Sequence, residues 1–323
     1  MNRVQNTFDR KETSPAVGII RGTGASVPEK ILDNDALAEV VDTSDTWIRE
    51  RTGVRCRHIA EKETTVSMAY EAGKQAMEEA GVLPEELDMI LVASSTPDQI
   101  FPSTACQVQE KLGAFRAAGF DLNAACSGFL FAYNTAQAYI MSGMCRTVLV
   151  IGSECISRLV DWTDRTTCVL FGDGAGAVVL KAEKSTFYWS TAYLDGTGGS
   201  ALVCREHILM NGKDVFQFAV RNVPQAIVEV LQKNNLSIDD IDWFILHQAN
   251  KRIVDAVSRR LCVDIKKFPT NLQNYGNTSA ASIPILLNEL NKNGVLKKGQ
   301  KLILAGFGAG LSWGASVLEW NID

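Results

Sequence analysis

Cys126 lies in the stretch DLNAACSGF (121–129), where a strand-and-turn pattern gives way to an apolar helix pattern, GFLFAYNTAQAYIMSG. A cysteine at a helix start meets unpaired backbone N–H groups and the positive end of the helix dipole, which favours thiolate over thiol. That makes Cys126 a candidate nucleophile. Free cysteine is also among the most buried residue types, so the assignment needs a polar partner and an oxyanion site elsewhere in the chain. His247 ends the apolar run DWFILH and opens QANKRI. The carboxyl ends of strands in α/β sheets are where ligands are met. His58 and His207 read as structural. Asn277, between Gly276 and Thr278 in YGNTSAASIP, suits a helix cap and equally an amide aimed into a cleft. The glycine turn in ILAGFGAGLSWGA (303–315) can leave a backbone N–H free to face the cysteine.

The elements that must position these groups repeat. VGIIRGTGASVP (17–28) patterns as a strand running into a Gly-rich turn, and a polar, helix-rich segment with TSDTWIRERTG (43–53) follows. Residues 67–96 read as an amphipathic helix, an acidic connector and a strand apolar enough to be buried on both faces. Residues 219–250 repeat that order, with Asp88 aligned on Asp242 and Ala93 on His247. CRTVLVIGSE (145–154) answers GQKLILAGFGAG (299–310), and GAGAVVLKAE (174–183) answers WGASVLEWNI (313–322). Three matched segments in one order predict a duplication of about half the chain. The expectation is an α/β fold of two βα-rich halves about a pseudo-twofold axis, with helices covering buried sheets. The break falls near Lys184 to Tyr188. Residues 1–16 are then a tail, 17–184 the half carrying Cys126, and 185–323 the half carrying His247 and Asn277. No Pro-, Gly- or Ser-rich linker separates the halves, so one continuous core is expected.

Glycine-rich FGAG (307–310) and FGDGAG (171–176) are each followed by a strand pattern, so neither meets the strand–loop–helix context of a dinucleotide site. Both read instead as hairpins whose glycines take positive φ and pack closely.

The 323 residues suffice for one large or two medium domains, and the net charge of -5 argues against a nucleic-acid binder. Eight cysteines without CxxC or metal-type spacing, and three histidines, predict no metal site and free thiols in a reducing compartment. The polar N-terminus does not read as a signal peptide, and no apolar run approaches the ~20 residues of a membrane span. A cytoplasmic location is expected.

Taken together, ACSGF, HQANKRI, YGNTSAASIP and FGAGLSWG resemble the β-ketoacyl-acyl-carrier-protein synthase III family, which has a thiolase-like fold of duplicated halves layered αβαβα. TSDTWIRERTGV, IFPSTACQVQ, DRTTCVLFGDGAGAVVL and MNGKDVFQFAV extend the likeness from about Val17 to the end. The resemblance implies that Cys126 is the acylated nucleophile and that His247 and Asn277 complete its triad. It implies that Trp47 and Arg165 sandwich the adenine of coenzyme A, and that Thr43, Arg51, Phe216, Asn250 and Arg252 line the same channel. Phe307 matches an aromatic beside the triad and, with Phe101, belongs to the acyl pocket. Phe101 reaches the pocket of a neighbouring subunit, which implies a homodimer. Lys251, Arg252, Arg259 and Arg260 offer a basic landing site for an acidic carrier protein. In the VFQFAV segment, read as a strand, Gln217 replaces a lysine frequent in the family.

The implied reaction is a decarboxylative condensation that starts type II fatty-acid synthesis. Acyl-coenzyme A acylates Cys126, with the N–H groups of Cys126 and Ala309 holding the oxyanion. Malonyl-acyl-carrier protein then loses CO₂ against His247 and Asn277, and the enolate attacks the acyl-cysteine. No metal or redox cofactor is needed. Rival readings are a related synthase or acyltransferase of secondary metabolism and, more remotely, a non-catalytic thiolase-fold partner. The order Cys, His, Asn also occurs in papain-like proteases, but their local motif around the cysteine is missing.

Overall fold

A computed structural model describes residues 16–185 and 187–323. Most of the expected N-terminal tail lies outside them; Ala16 already belongs to the first strand. The chain begins β1 (Ala16–Ser26), β2 (Ile31–Asp33), α1 (Asn34–Ala38), α2 (Asp45–Thr52), β3 (Cys56–His58), α3 (Thr65–Ala80) and β4 (Met89–Ala93). It continues α4 (Thr104–Leu112), β5 (Ala118–Leu122), α5 (Gly128–Met141), β6 (Thr147–Glu154) and β7 (Gly174–Lys184). Then come β8 (Tyr188–Leu194), β9 (Leu202–Cys204), β10 (Ile208–Met210), α6 (Gly212–Lys233), β11 (Trp243–Leu246) and α7 (Lys251–Leu261). The chain closes with α8 (Leu272–Tyr275), α9 (Ser282–Lys292), β12 (Lys301–Gly308) and β13 (Ser312–Glu319).

Two sheets carry the architecture, ordered β1-β7-β6-β4-β5 and β8-β13-β12-β11. Their pairings correspond: β1/β7/β6 and β8/β13/β12 are antiparallel, while β6/β4 and β12/β11 are parallel. The aligned aspartates do the same work in both sheets. Asp88 accepts from the Thr147 N–H at 2.9 Å and Asp242 from the Lys301 N–H at 2.8 Å, each fixing the register of a parallel strand pair. Helices α3 and α4 cover the outer face of the first sheet, and α6 and α7 that of the second. Between the sheets lie α5 and α9, giving the αβαβα layering. Because α5 touches both sheets, its sequence is apolar almost all round, whereas α7 keeps a basic outer face. Phe129, Tyr133, Leu286 and Leu287 knit the central layer into one core with both sheets. Each such burial contributes roughly 1.5–3 kcal/mol.

Three local expectations are corrected. Strand β1 runs on through its glycines to Ser26 rather than turning. A Cβ on Gly22 or Gly24 would stand 2.1 Å from the carbonyl oxygens of Ala76 and Ala72, so these glycines let α3 lie against the sheet. FGDGAG is no hairpin: none of its glycines has positive φ, and Phe171 instead bridges Asn277 in a parallel pairing. The VFQFAV segment is helical, inside α6.

Candidate active site

The duplication extends to the turns that open α5 and α9. Asn123 accepts from the Ala125 N–H at 3.2 Å, and Asn277 from the Ser279 N–H at 2.9 Å. Ala125 and Ser279 both hold left-handed backbone, at φ 47 and 50. A short 3-10 turn follows each, Ala125–Ser127 and Ser279–Ala281. Cys126 is thus the counterpart of Ala280, and the two turns meet between the sheets. Strand ends from the opposite halves pack on them. A Cβ on Gly308 would lie 2.8 Å from the Cys126 nitrogen, and one on Gly152 would lie 2.4 Å from the Ala280 oxygen.

Cys126 is half-buried at the floor of a cleft of about 440 Å³ whose walls include His247, Asn277, Phe307 and Gly308. Burial pushes its thiol up to about 12, helped by the Glu154 carboxylate and opposed by a hydrogen bond with Ser279. A helix terminus is worth at most about 2 kcal/mol, or roughly one and a half pKa units. Desolvation therefore outweighs the dipole, and Cys126 rests as a thiol, contrary to the sequence expectation. Among the described residues no protein acceptor pairs with the N–H of Cys126 or of Ala309.

His247 is 2% exposed, and burial drives its imidazole down to about 3, so it is neutral. Its Nδ1 lies 2.7 Å from Ser282 Oγ, which also accepts from the Gln248 N–H at 3.3 Å. Among the described residues the acceptor that faces the Ser282 hydroxyl proton is His247 Nδ1. That assigns the tautomer with the proton on Nε2, a donor. The Phe307 ring packs edge-on against the imidazole, centroids 5.1 Å apart. Asn277 is not the helix cap its sequence allowed: Thr278 holds the N-cap position of the turn that follows, and Asn277 forms an Asx turn ahead of it. Its Oδ1 accepts from the Ser279 N–H, which leaves the amide nitrogen as the free donor of a residue lining the cleft. Backbone bonds to Leu170 and Gly172, at 2.8 and 3.1 Å, hold it in place.

Trp47, Arg51, Phe216, Asn250 and Arg252 line the rest of the same cleft. The Arg165 guanidinium stacks over Trp47 at 5.0 Å and donates to the Asp42 carbonyl at 2.8 Å; Arg252 stacks over Phe216 at 5.7 Å. Asn250 caps α7 through the Arg252 N–H and ties it to α2 by donating to the Arg51 carbonyl at 3.2 Å. Thr43 does not line the cleft, and its hydroxyl is buried without a partner.

Beyond Cys126 is a second space of about 90 Å³, lined by Ser95, Ile156, Phe171, Leu202, Cys204, Ala309 and others. Phe307 is not among them: it borders the large cleft beside His247, which corrects its placement in the acyl pocket. Phe101 is 82% exposed and outside both spaces of its own chain. On α7, Arg252, Arg259 and Arg260 are exposed, whereas Lys251 is ion-paired with Asp255 at 2.7 Å. Gln217 is flanked one turn either side by exposed Lys213 and Arg221 on α6, which packs against α7.

Sequence reasoning missed Ser282, the β9–β10 hairpin and Glu154. Glu154 had a legible signal, a carboxylate closing the buried strand TVLVIGSE. Ser282 had none beyond its helix start.

Family models described as 3-oxoacyl-[acyl-carrier-protein (ACP)] synthase III match residues 120–196 and, for its C-terminal part, residues 231–320. A β-ketoacyl-[acyl-carrier-protein] synthase III of Clostridium acetobutylicum is 46% identical over 319 residues, covering 94% of this chain and 98% of that one. The crystal structure of 3-oxoacyl-[acyl-carrier-protein] synthase III from Aquifex aeolicus aligns with TM-score 0.92 at 45% identity, over 94% of this chain and 100% of its own. The priming β-ketosynthase of the R1128 polyketide pathway aligns with TM-score 0.92 at 34% identity, over 96% and 98%. A thiolase-like fold, a half-buried cysteine and relatives this similar along almost the whole chain place the protein in the β-ketoacyl-acyl-carrier-protein synthase III family of condensing acyltransferases.

Proposed function

We propose that the protein joins a short acyl group from acyl-coenzyme A to malonyl-acyl-carrier protein through an acyl-Cys126 intermediate, with release of CO₂. The observation that carries this is one cleft whose floor holds Cys126, His247 and Asn277 and whose walls include Trp47, Arg51 and Arg252. The arginines suit the phosphates of coenzyme A, and Trp47 with Arg165 suits its adenine. Cys126 attacks the thioester and its proton leaves with the coenzyme A thiol. The unpaired N–H groups of Cys126 and Ala309 receive the oxyanion, each worth roughly 3 kcal/mol. The space beyond Cys126, about 90 Å³, is small beside the main cleft of about 440 Å³, which favours short starters.

In the second step His247 Nε2–H and the Asn277 amide donate to the malonyl thioester carbonyl. The carboxylate departs as CO₂, and the enolate held by those two donors attacks acyl-Cys126. The thiolate released from Cys126 takes a proton, and the product is β-ketoacyl-carrier protein. Decarboxylation itself generates the carbanion, so the reaction requires no metal or redox group.

The halves are proposed to divide at 184/185, within the short connection between β7 and β8. A homodimer forms at the free edge of β5, where Ala118, Gly119 and Phe120 are exposed and Ile100, Phe101 and Phe115 are 88%, 82% and 73% exposed. An unpaired edge with such a border is covered by pairing with another strand, and a second copy offers the same edge. Phe101 of that copy then reaches the acyl pocket. The proposed location is the cytoplasm; no helix among the described residues is long and apolar enough to cross a membrane. The test is an assay of acetyl, branched and longer acyl-coenzyme A thioesters against malonyl-acyl-carrier protein. Turnover with the short starters is expected, and turnover with long chains alone would overturn the assignment.

A further inference from the structure

The two halves treat their matched turns differently at one position. The ends of β6 and β12 correspond, so Glu154 in the first half answers Gly308 in the second. Gly308 lies against Cys126 and leaves its N–H without a protein acceptor. Glu154, fully buried, lies against the matched turn and puts a carboxylate where Ala280, the counterpart of Cys126, presents its N–H. It accepts from Thr96 Oγ1 at 2.6 Å, the Ser95 N–H at 3.0 Å and Ser279 Oγ at 3.0 Å. Ser94 Oγ stands 3.4 Å away. The Thr96 hydroxyl itself accepts from the Cys155 N–H, so its proton is free for Glu154. Burial pushes the Glu154 carboxyl up to about 7, opposed by the hydrogen bonds that Thr96, Ser95, Ser279 and the Ala280 N–H donate to it.

Ser279 links this anchor to the cleft. Its hydroxyl is held by Glu154, its backbone is left-handed, and its N–H holds Asn277 Oδ1. We infer that Glu154 is a positioning residue for the decarboxylation step: its carboxylate fills the duplicated counterpart of the oxyanion site and locks the Ser279 turn that aims the Asn277 amide. The duplication would supply two oxyanion sites; one is left open for substrate, and the other is closed by a built-in carboxyl group to set the second half's donor. The inference rests on the proposed role of Asn277 as a donor to the malonyl thioester.

The test separates the half-reactions. Acylation of Cys126 by acetyl-coenzyme A is followed by mass spectrometry, and CO₂ release from malonyl-acyl-carrier protein is followed separately. Wild type, Glu154→Gln, Asn277→Ala and the double variant are compared. Glu154→Gln is expected to slow decarboxylation at least about tenfold, with the KM for malonyl-acyl-carrier protein within about twofold. Acylation is expected to hold or rise, because a negative charge that disfavours the Cys126 thiolate has gone. The double variant should be no slower than Asn277→Ala. Equal loss in both half-reactions, unchanged decarboxylation, or multiplied losses in the double variant would overturn the inference. If Glu154→Gln does not fold, Thr96→Val, which deletes the hydroxyl donor at 2.6 Å from the Glu154 carboxyl, must show the same selective loss, several-fold in size; a loss shared by both half-reactions contradicts it. Normal decarboxylation in Asn277→Ala removes the triad reading and this inference with it. A slow Asn277→Ala beside a fast Glu154→Gln removes this inference alone.

Discussion

Three titrating groups set the residue-scale behaviour, and all are moved by burial. Cys126 is pushed up to about 12, so below that pH its thiolate fraction rises tenfold per unit. The single-turnover acylation rate is therefore expected to climb about tenfold per pH unit between roughly 7 and 9. A plateau near neutrality would show a resting thiolate. His247 is pushed down to about 3, so it stays neutral from pH 5 upward. Burial pushes Glu154 up to about 7, so decarboxylation is expected to fall as pH drops through about 7 in the wild type and to lose that inflection in Glu154→Gln. An inflection between 5 and 8 that survives in Glu154→Gln would contradict the neutral Nε2–H donor. The cysteine, histidine and asparagine were legible because each sits in a distinctive local string. Their electrostatics were not, because desolvation is a property of the assembled core: a helix start suggests thiolate, and the packing around Cys126 reverses it.

At the scale of elements, the glycine at the end of β12 keeps the Cys126 N–H open. Gly308→Ala would place a Cβ 2.8 Å from that nitrogen and is expected to slow acylation roughly a hundredfold, about 3 kcal/mol, with decarboxylation affected less. Equal rates for Gly308→Ala and wild type would remove the oxyanion assignment. The basic face of α7 and α6 makes a different prediction. Arg252→Glu and Arg260→Glu should raise the KM for malonyl-acyl-carrier protein several-fold, with the effect shrinking at high salt. An effect confined to kcat would argue against docking there. The buried strands and amphipathic helices were readable from periodicity. The VFQFAV helix was misjudged because a short apolar run fits either period; in the structure it is the capped first part of the long helix α6, burying Val215 and Ala219 on one face.

For the whole molecule, three matched segments were enough to reveal the duplication, and sheet orders β1-β7-β6-β4 and β8-β13-β12-β11 carry it through. What three segments left out is the finer match of Asn123 with Asn277 and of Cys126 with Ala280. Those short strings share little beyond an asparagine and small residues, and only matched hydrogen bonds and φ values reveal them. The two copies of one turn meet beside the cleft and have diverged, and on the proposed mechanism one keeps a nucleophile and the other an amide donor. The exposed edge of β5 extends the account to the assembly. Phe120→Glu should convert a dimer to monomer in light scattering and lower acylation; a dimer that survives would place the interface elsewhere.

The central claim is a division of labour, with Cys126 carrying the acyl group while His247 and Asn277 serve decarboxylation. It is tested most directly by incubating the Asn277→Ala variant with acetyl-coenzyme A, mapping the acetyl group by peptide mass spectrometry, and assaying the same sample for CO₂ release from malonyl-acyl-carrier protein. The account predicts one acetyl group on the Cys126 peptide and little CO₂. Acetylation on another peptide, or loss of acetylation with CO₂ release intact, would contradict it.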